Sequence, residues 1–311
     1  MRKFGNHFEY LEIHDQVVNC VDWVQDKIYS GCLSGDLVEL TKDPRSQKYY
    51  TSRTSLAHNL AVTDIASSLD GEKIVTSSLD GNCFVTDRET MKPIRTIDCP
   101  NAFSPHCAIN QRGTVVSVVG KGGSLYIDNF DETFETTFEN ANDAFFKAVQ
   151  FYGENETEVI GLARHTLSQV DVETRTTVYS LFGSTAKKAG KLKRSLNCLA
   201  TNPNQKLVAA GTVSGYIQFF DFTAPDENIT EIKVGGQLVE KIKFSNDGKT
   251  LAIASSNKRV YLLDMTMLQH PYIEQQRSRI ISIAFDHDSK QIVSASEDKT
   301  VIIAKIVEDE F

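Results

Sequence analysis

Residues Ala57–Asp87 read AHNLAVTDIASSLDGEKIVTSSLDGNCFVTD. Apolar and polar residues alternate through AVTDIAS, the period of a half-buried strand. SLDGE supplies turn residues, KIVTSS a second β-prone run, Leu79-Asp80-Gly81 a second turn and CFVTD a third run. The stretch predicts three antiparallel strands joined by tight turns, with a His at the start and an Asp in the second turn. One such sheet cannot bury both of its faces, so the reading requires further copies along the chain.

The copies are present. Aligned on the last residue of the first strand, the anchors are Trp23, Ser67, Ile109, Phe151, Thr201, Phe244 and Phe285, spaced by 44, 42, 42, 50, 43 and 41 residues. A β-branched run follows each anchor, from DKIYSG to KQIVSAS, and a third run follows that, from LVEL to TVIIAK. Seven copies at a period of about 40–45 residues match the four-stranded blades of WD-repeat proteins. The expected fold class is all-β: a seven-bladed WD-repeat β-propeller, with residues 1–311 as a single domain. The last copy ends at TVIIAKIV without a fourth strand, whereas Phe8–Ile13 alternates as a strand ahead of the first copy. The N-terminal strand is therefore expected to join the last blade and close the ring, which removes an open edge.

Composition narrows the function. Apolar residues make up 41% and charged residues 24% of 311, as in soluble globular chains. No apolar run approaches a membrane span, and the opening MRKFGNHFEYLEIH lacks the apolar core of a secretion signal. The net charge of −8 argues against direct nucleic-acid binding as the main activity. Six cysteines form no CxxC and several fall within strands, which suits core hydrophobes in a reducing compartment.

His58, Ser78 and Asp80 are expected to form a hydrogen-bonded network that locks the turn between strands, since buried polar groups must be satisfied. His14 stands where His58 stands, Asp298 takes the place of Asp80, and Gln276 the place of a His. Asp221 and Asp264 end third strands as Asp87 does. Thr86, Phe220 and Leu263 occupy the position of the signature Trp, and the WD dipeptide never occurs.

Catalytic patterns are missing. There is no GxSxG, no HExxH and no suggestive carboxylate pair, and His7, His106, His165, His270 and His287 scatter over different units. Gly120, Gly122 and Gly123 lack the GxxxxGK[ST] spacing of a phosphate loop. The expectation is a protein that is not an enzyme, with no cofactor and no metal. The insertion before the fifth copy carries Lys187, Lys188, Lys191, Lys193 and Arg194, which reads as a solvated loop, a nuclear import signal or a contact for an acidic partner.

What remains is surface. In a propeller the loops leading into the first strands and the second turns share one face around the channel mouth. The residue one step inside each first strand should point there: Asn19, Thr63, Pro105, Lys147, Asn197, Glu240 and Ile281, with Leu60, Ala102 and Arg194 close by. This mixture of apolar, amide and charged groups suits a docking protein segment. The alternative within the same class is a histone-tail or chromatin reader.

The strings His58–Val62, Ser77–Asp80 and Pro93–Asp98, with FEYLEIHDQVVNCVDW and LSGDLVEL at the start, resemble the family of WD-repeat subunits of superkiller complexes. That resemblance implies an adaptor without catalysis, joining a helical-repeat scaffold to an RNA helicase that feeds mRNA to the exosome. It also implies an association with the PAF transcription-elongation complex, hence both cytoplasmic and nuclear localisation, with the chain monomeric inside a hetero-complex and no membrane contact.

Overall fold

A computed structural model describes residues 2–99, 106–119, 124–130, 134–138, 146–153, 157–163, 166–174, 176–182, 195–222, 230–266, 272–274 and 277–308. These residues form seven four-stranded antiparallel sheets. Blade 1 is β2 (Val18–Val24), β3 (Lys27–Cys32), β4 (Asp36–Lys42) and β5 (Tyr49–Leu56). Blade 2 is β6 (Val62–Ser67), β7 (Lys73–Ser78), β8 (Asn82–Asp87) and β9 (Lys92–Asp98). Blades 3 to 6 repeat the pattern, their first strands being β10 (Cys107–Ile109), β14 (Phe146–Tyr152), β18 (Leu196–Thr201) and β22 (Val239–Phe244). Blade 7 comprises β26 (Ile280–Phe285), β27 (Gln291–Ser296), β28 (Thr300–Glu308) and, from the other end of the chain, β1 (Arg2–Glu12). Each first strand touches the next around a closed circle, β26 returning to β2. The molecule is a seven-bladed β-propeller.

The closing strand is longer than its sequence pattern indicates. β1 starts at Arg2 and pairs antiparallel with β28 from Arg2↔Glu308 to Glu12↔Thr300, with an irregularity between Phe4 and Phe8. Alternation is legible only from Phe8 onward because that irregularity breaks the period-two pattern. Ile13 lies just beyond the strand. Arg2 adds ion pairs to Asp247 of blade 6 (2.7 Å) and to Glu308 (3.2 Å).

Among the described residues the core is not one cluster but seven, each drawn from two neighbouring blades. Blades 1 and 7 share Val21, Trp23, Leu40, Tyr49, Val293 and Ile303. Trp23 is thus a core residue, edge-on to Tyr49 at 5.9 Å. Because every sheet is covered on both faces, second strands such as β7 and β27 are buried for nearly their whole length, and they read as continuous apolar or small-residue runs. Gly31 and Gly211 fit the same scheme: a Cβ on either would stand 2.7 Å or less from a cysteine sulfur and from the first valine of the next blade. All six cysteines are free and buried.

Candidate functional site

Six of the seven first strands carry the same irregularity. Pairing with the second strand skips one residue between Val18 and Cys20, Val62 and Asp64, Phe146 and Ala148, Leu196 and Cys198, Val239 and Lys241, and Ile280 and Ser282. The skipped residues are Asn19, Thr63, Lys147, Asn197, Glu240 and Ile281, six of the seven positions read from the sequence as the ring. A β-bulge turns its residue out of the ladder, so these side chains leave the sheet at one end of the channel. Pro105, Ala102, Arg194 and the basic residues from Lys187 lie outside the described residues.

Four of the ring residues stitch the propeller. Asn19 Nδ2 donates to Val62 O (3.0 Å) and Asn197 Nδ2 to Val239 O (2.9 Å), each reaching the next blade. Thr63 Oγ1 donates to Ser77 O (3.1 Å) within blade 2. Glu240 accepts from Arg279 Nε (2.6 Å) and Nη2 (2.9 Å), a bidentate pair between blades 6 and 7. Lys147 is exposed and Ile281 half-buried.

The polar networks beside the ring are built as follows. His58 Nδ1 lies 3.1 Å from Asp80 Oδ2, and its Nε2 lies 2.9 Å from Thr76 Oγ1. Burial lowers the pKa of His58, so the ring is neutral, donating from Nδ1 to the carboxylate and accepting the Thr76 hydroxyl at Nε2. Burial would raise the Asp80 carboxyl, but the Asn59 and Asn82 N–H donors hold it below its ordinary value. Ser78 does not touch the His58 ring. Its hydroxyl donates to Leu60 O (3.1 Å) and accepts from Asp80 N (3.1 Å), so it ties the turn, and Thr76 is the partner that the sequence pattern missed. The same design recurs in blade 1, where His14 Nε2 meets Ser30 Oγ at 2.8 Å. Asp298 repeats the turn contacts of Asp80, accepting from Arg277 N (3.0 Å) and Thr300 N (3.1 Å). Gln276 lies outside the described residues.

The loops leading into first strands and the second turns meet on one face, as shown by Leu33 N to Val17 O, Leu79 N to Ala61 O and Val213 N to Ser195 O, at 3.0–3.1 Å. Over blades 1 and 2 this face exposes Leu33, Leu60 and Leu79 by 48%, 54% and 43%.

The residues after the bulges are Cys20, Asp64, Ala148, Cys198, Lys241 and Ser282, with His106 in the matching place of blade 3; Cys20, Ala148 and Cys198 pack between blades, whereas Asp64 and Lys241 line the channel. Asp64 accepts from Lys241 Nζ (2.8 Å) and from His106 Nδ1 (3.0 Å). Burial would raise the Asp64 carboxyl, but the Lys241 ammonium and His106 outweigh it and hold it well below the carboxylate range. Below this bridge the channel is lined by Asp22, Ala66, Ala108, Gln150, Ala200 and Lys243. Asp22 accepts from Ser67 Oγ at 2.7 Å. Among the described residues no three His, Cys, Asp or Glu side chains are placed to hold a metal ion. No helix of the described residues is long and apolar enough to cross a membrane.

Residues 50–87 and 268–303 match the family described as WD domain, G-beta repeat. The first of these stretches runs from the outer strand of blade 1 through the first three strands of blade 2. The 66 kDa stress protein of Physarum polycephalum is 22% identical over 290 residues, covering 92% of this chain and 45% of the relative. WD repeat-containing protein 55 of Danio rerio is 30% identical over 78 residues, 24% of this chain and 20% of the relative. Cilia- and flagella-associated protein 251 of Pongo abelii is 24% identical over 118 residues, 37% of this chain and 10% of the relative. The chain thus spans less than half the length of these relatives.

Proposed function

We propose that this propeller is a non-catalytic scaffold that binds other proteins through the face formed by its lead-in loops and second turns. WD-repeat proteins generally act in this way, and the observation that carries the reading here is the trio of exposed leucines, Leu33, Leu60 and Leu79, on a face whose backbone is pinned by inter-loop hydrogen bonds. Clustered aliphatic side chains on a rigid frame are what a partner can bury at small entropic cost. Lys147 and Ile281 extend the contact around the channel mouth, with Asn19, Thr63, Asn197 and Glu240 holding the frame.

The finer reading is an adaptor of the superkiller type, active in cytoplasm and nucleus, with a helical-repeat protein and a helicase as partners. It is supported by the strings from His58 to Val62 and from Ser77 to Asp80, which build the best-formed turn of the fold. Affinity purification of the tagged chain under mild salt, read by quantitative mass spectrometry, tests both levels. Stoichiometric recovery of larger proteins supports the scaffold, and recovery of a helicase with a helical-repeat protein supports the adaptor. A chain recovered alone overturns both.

A further inference from the structure

We infer that the channel chamber beside the Asp64–Lys241 bridge binds a small zwitterion, an α-amino acid held by its ammonium at Asp22 and by its carboxylate at Lys243 and Gln150. At the place just before each first-strand anchor, four of the seven blades carry alanine, and the other three carry Asp22, Gln150 and Lys243. Alanine leaves room around the axis that longer side chains would fill. The three polar side chains line one chamber with Ala66, Ala108 and Ala200, and Asp64 and Lys241 border it on the side of the bulges. Around the ring, blades 1 and 6 stand two apart, blades 4 and 6 two apart, and blades 1 and 4 three apart. Carboxylate, amide and ammonium therefore approach the axis from three sides, as the polar groups of a small-molecule pocket do.

What these groups lack defines the ligand. Asp22 is 6% exposed, and among the described residues its carboxylate has one side-chain partner, the neutral hydroxyl of Ser67. A buried carboxylate with a single neutral donor calls for a cation. Lys243 and Gln150 are half-buried, and among the described residues the Lys243 ammonium has no carboxylate partner and the Gln150 amide no hydrogen bond. Lys241, two residues earlier on the strand of Lys243, shows the contrast, since Asp64 takes its ammonium at 2.8 Å. Asp64 and Lys241 compensate each other, so the unmatched charges of the chamber are Asp22 and Lys243, one of each sign. Between them around the ring stands blade 7, which brings Ala284 to this level. A simple anion would serve Lys243 and be repelled by Asp22, and a simple cation would do the reverse. One small molecule that carries both charges satisfies both with charge-assisted hydrogen bonds.

Isothermal titration of the full chain with L-alanine and L-valine tests this, with saturation-transfer NMR as a second readout. The expected outcome is saturable binding at one site and a melting temperature that rises with alanine concentration. N-acetylalanine and alaninamide, which each remove one charge from alanine, should bind about tenfold or more weakly. Lys243→Gln and Asp22→Asn, each shown to be folded by thermal unfolding, should weaken alanine by about tenfold or more. No binding of either amino acid at millimolar concentration overturns the inference, as does unchanged alanine affinity in Lys243→Gln. So does binding of N-acetylalanine or alaninamide as tight as that of alanine, since the chamber would then be a plain anion or cation site. If Asp22→Asn does not fold, Lys243→Gln decides alone, because its side chain is half-buried and holds no partner. The chamber lies inside the ring, so failure of amino-acid binding would leave the scaffold reading of the outer face in place.

Discussion

Lys241 Nζ lies 2.8 Å from Asp64 Oδ1, joining blade 6 to blade 2 across the channel through an ion pair between residues 177 apart in sequence. Neighbouring blades are held by shared apolar clusters, but this contact braces the ring along a chord. Asp64 has a 6% exposed side chain, so its charge depends on Lys241 and His106 for compensation. Lys241→Met is expected to destabilise the fold by ~3 kcal/mol, because it leaves a buried carboxylate with one partner. Asp64→Leu combined with Lys241→Met should recover much of that loss. Urea unfolding of the wild type and the two variants checks it, and equal midpoints for wild type and Lys241→Met would contradict it.

Asp80→Ala removes the acceptor for His58 Nδ1–H and for two backbone N–H groups, and should cost about 1–3 kcal/mol. Thr76→Val should cost about 1 kcal/mol at the other ring nitrogen. A larger loss for Thr76→Val than for Asp80→Ala in thermal unfolding would reverse the order of importance assigned here.

The pH dependence of stability has a defined sign. Burial lowers the pKa of His14 from 6.5 to about 4, so the unfolded chain takes up this proton as pH falls through 6.5 while the folded chain does not until about 4. The stabilisation is complete above 6.5 and is lost between 6.5 and about 4. His58 acts in the same direction. Glu39, held at about 2 despite burial by Arg53, Ser52, Tyr29 and Lys27, contributes its own loss only at lower pH, below its ordinary 4.5. Urea midpoints measured from pH 7.5 to 4.5 should therefore fall, and fall less steeply in His14→Gln. Identical slopes would exclude His14 as a source.

Removing residues 2–12 strips β28 of its partner along its length and uncovers Ile306 and the blade 6–7 cluster packed by Phe4 and Phe8. The shortened chain should unfold at a lower temperature than any point variant above and be cut by protease within blade 7 first. Retention of the full-length melting temperature would mean that β1 does not close the ring.

The architecture was largely legible, because each blade needs the same alternation and the same turns. The anchors from Trp23 to Phe285 coincide with the last or next-to-last residues of first strands, and the ring at Asn19, Thr63, Lys147, Asn197, Glu240 and Ile281 coincides with the bulges. The chord from Asp64 to Lys241 was not legible, since neither residue has a sequence neighbour that signals the other. A hint existed: Asp64 and Lys241 stand at the third place of two first strands, where four other copies carry Cys, Ala or Ser and one carries His106. Ser78 extends the His58–Asp80 network as expected, by accepting from Asp80 N, but Thr76, two residues before it on β7, was not legible, because only the register shows that it reaches His58 Nε2.

The central claim is that this chain works by presenting the face around Leu60. The most direct measurement compares wild type with the Leu60→Asp, Leu79→Asp double variant by affinity purification and quantitative mass spectrometry, after thermal unfolding has shown both to be folded. The expected result is selective loss of the stoichiometric partners of the wild type. An unchanged partner set on the folded double variant would contradict the claim.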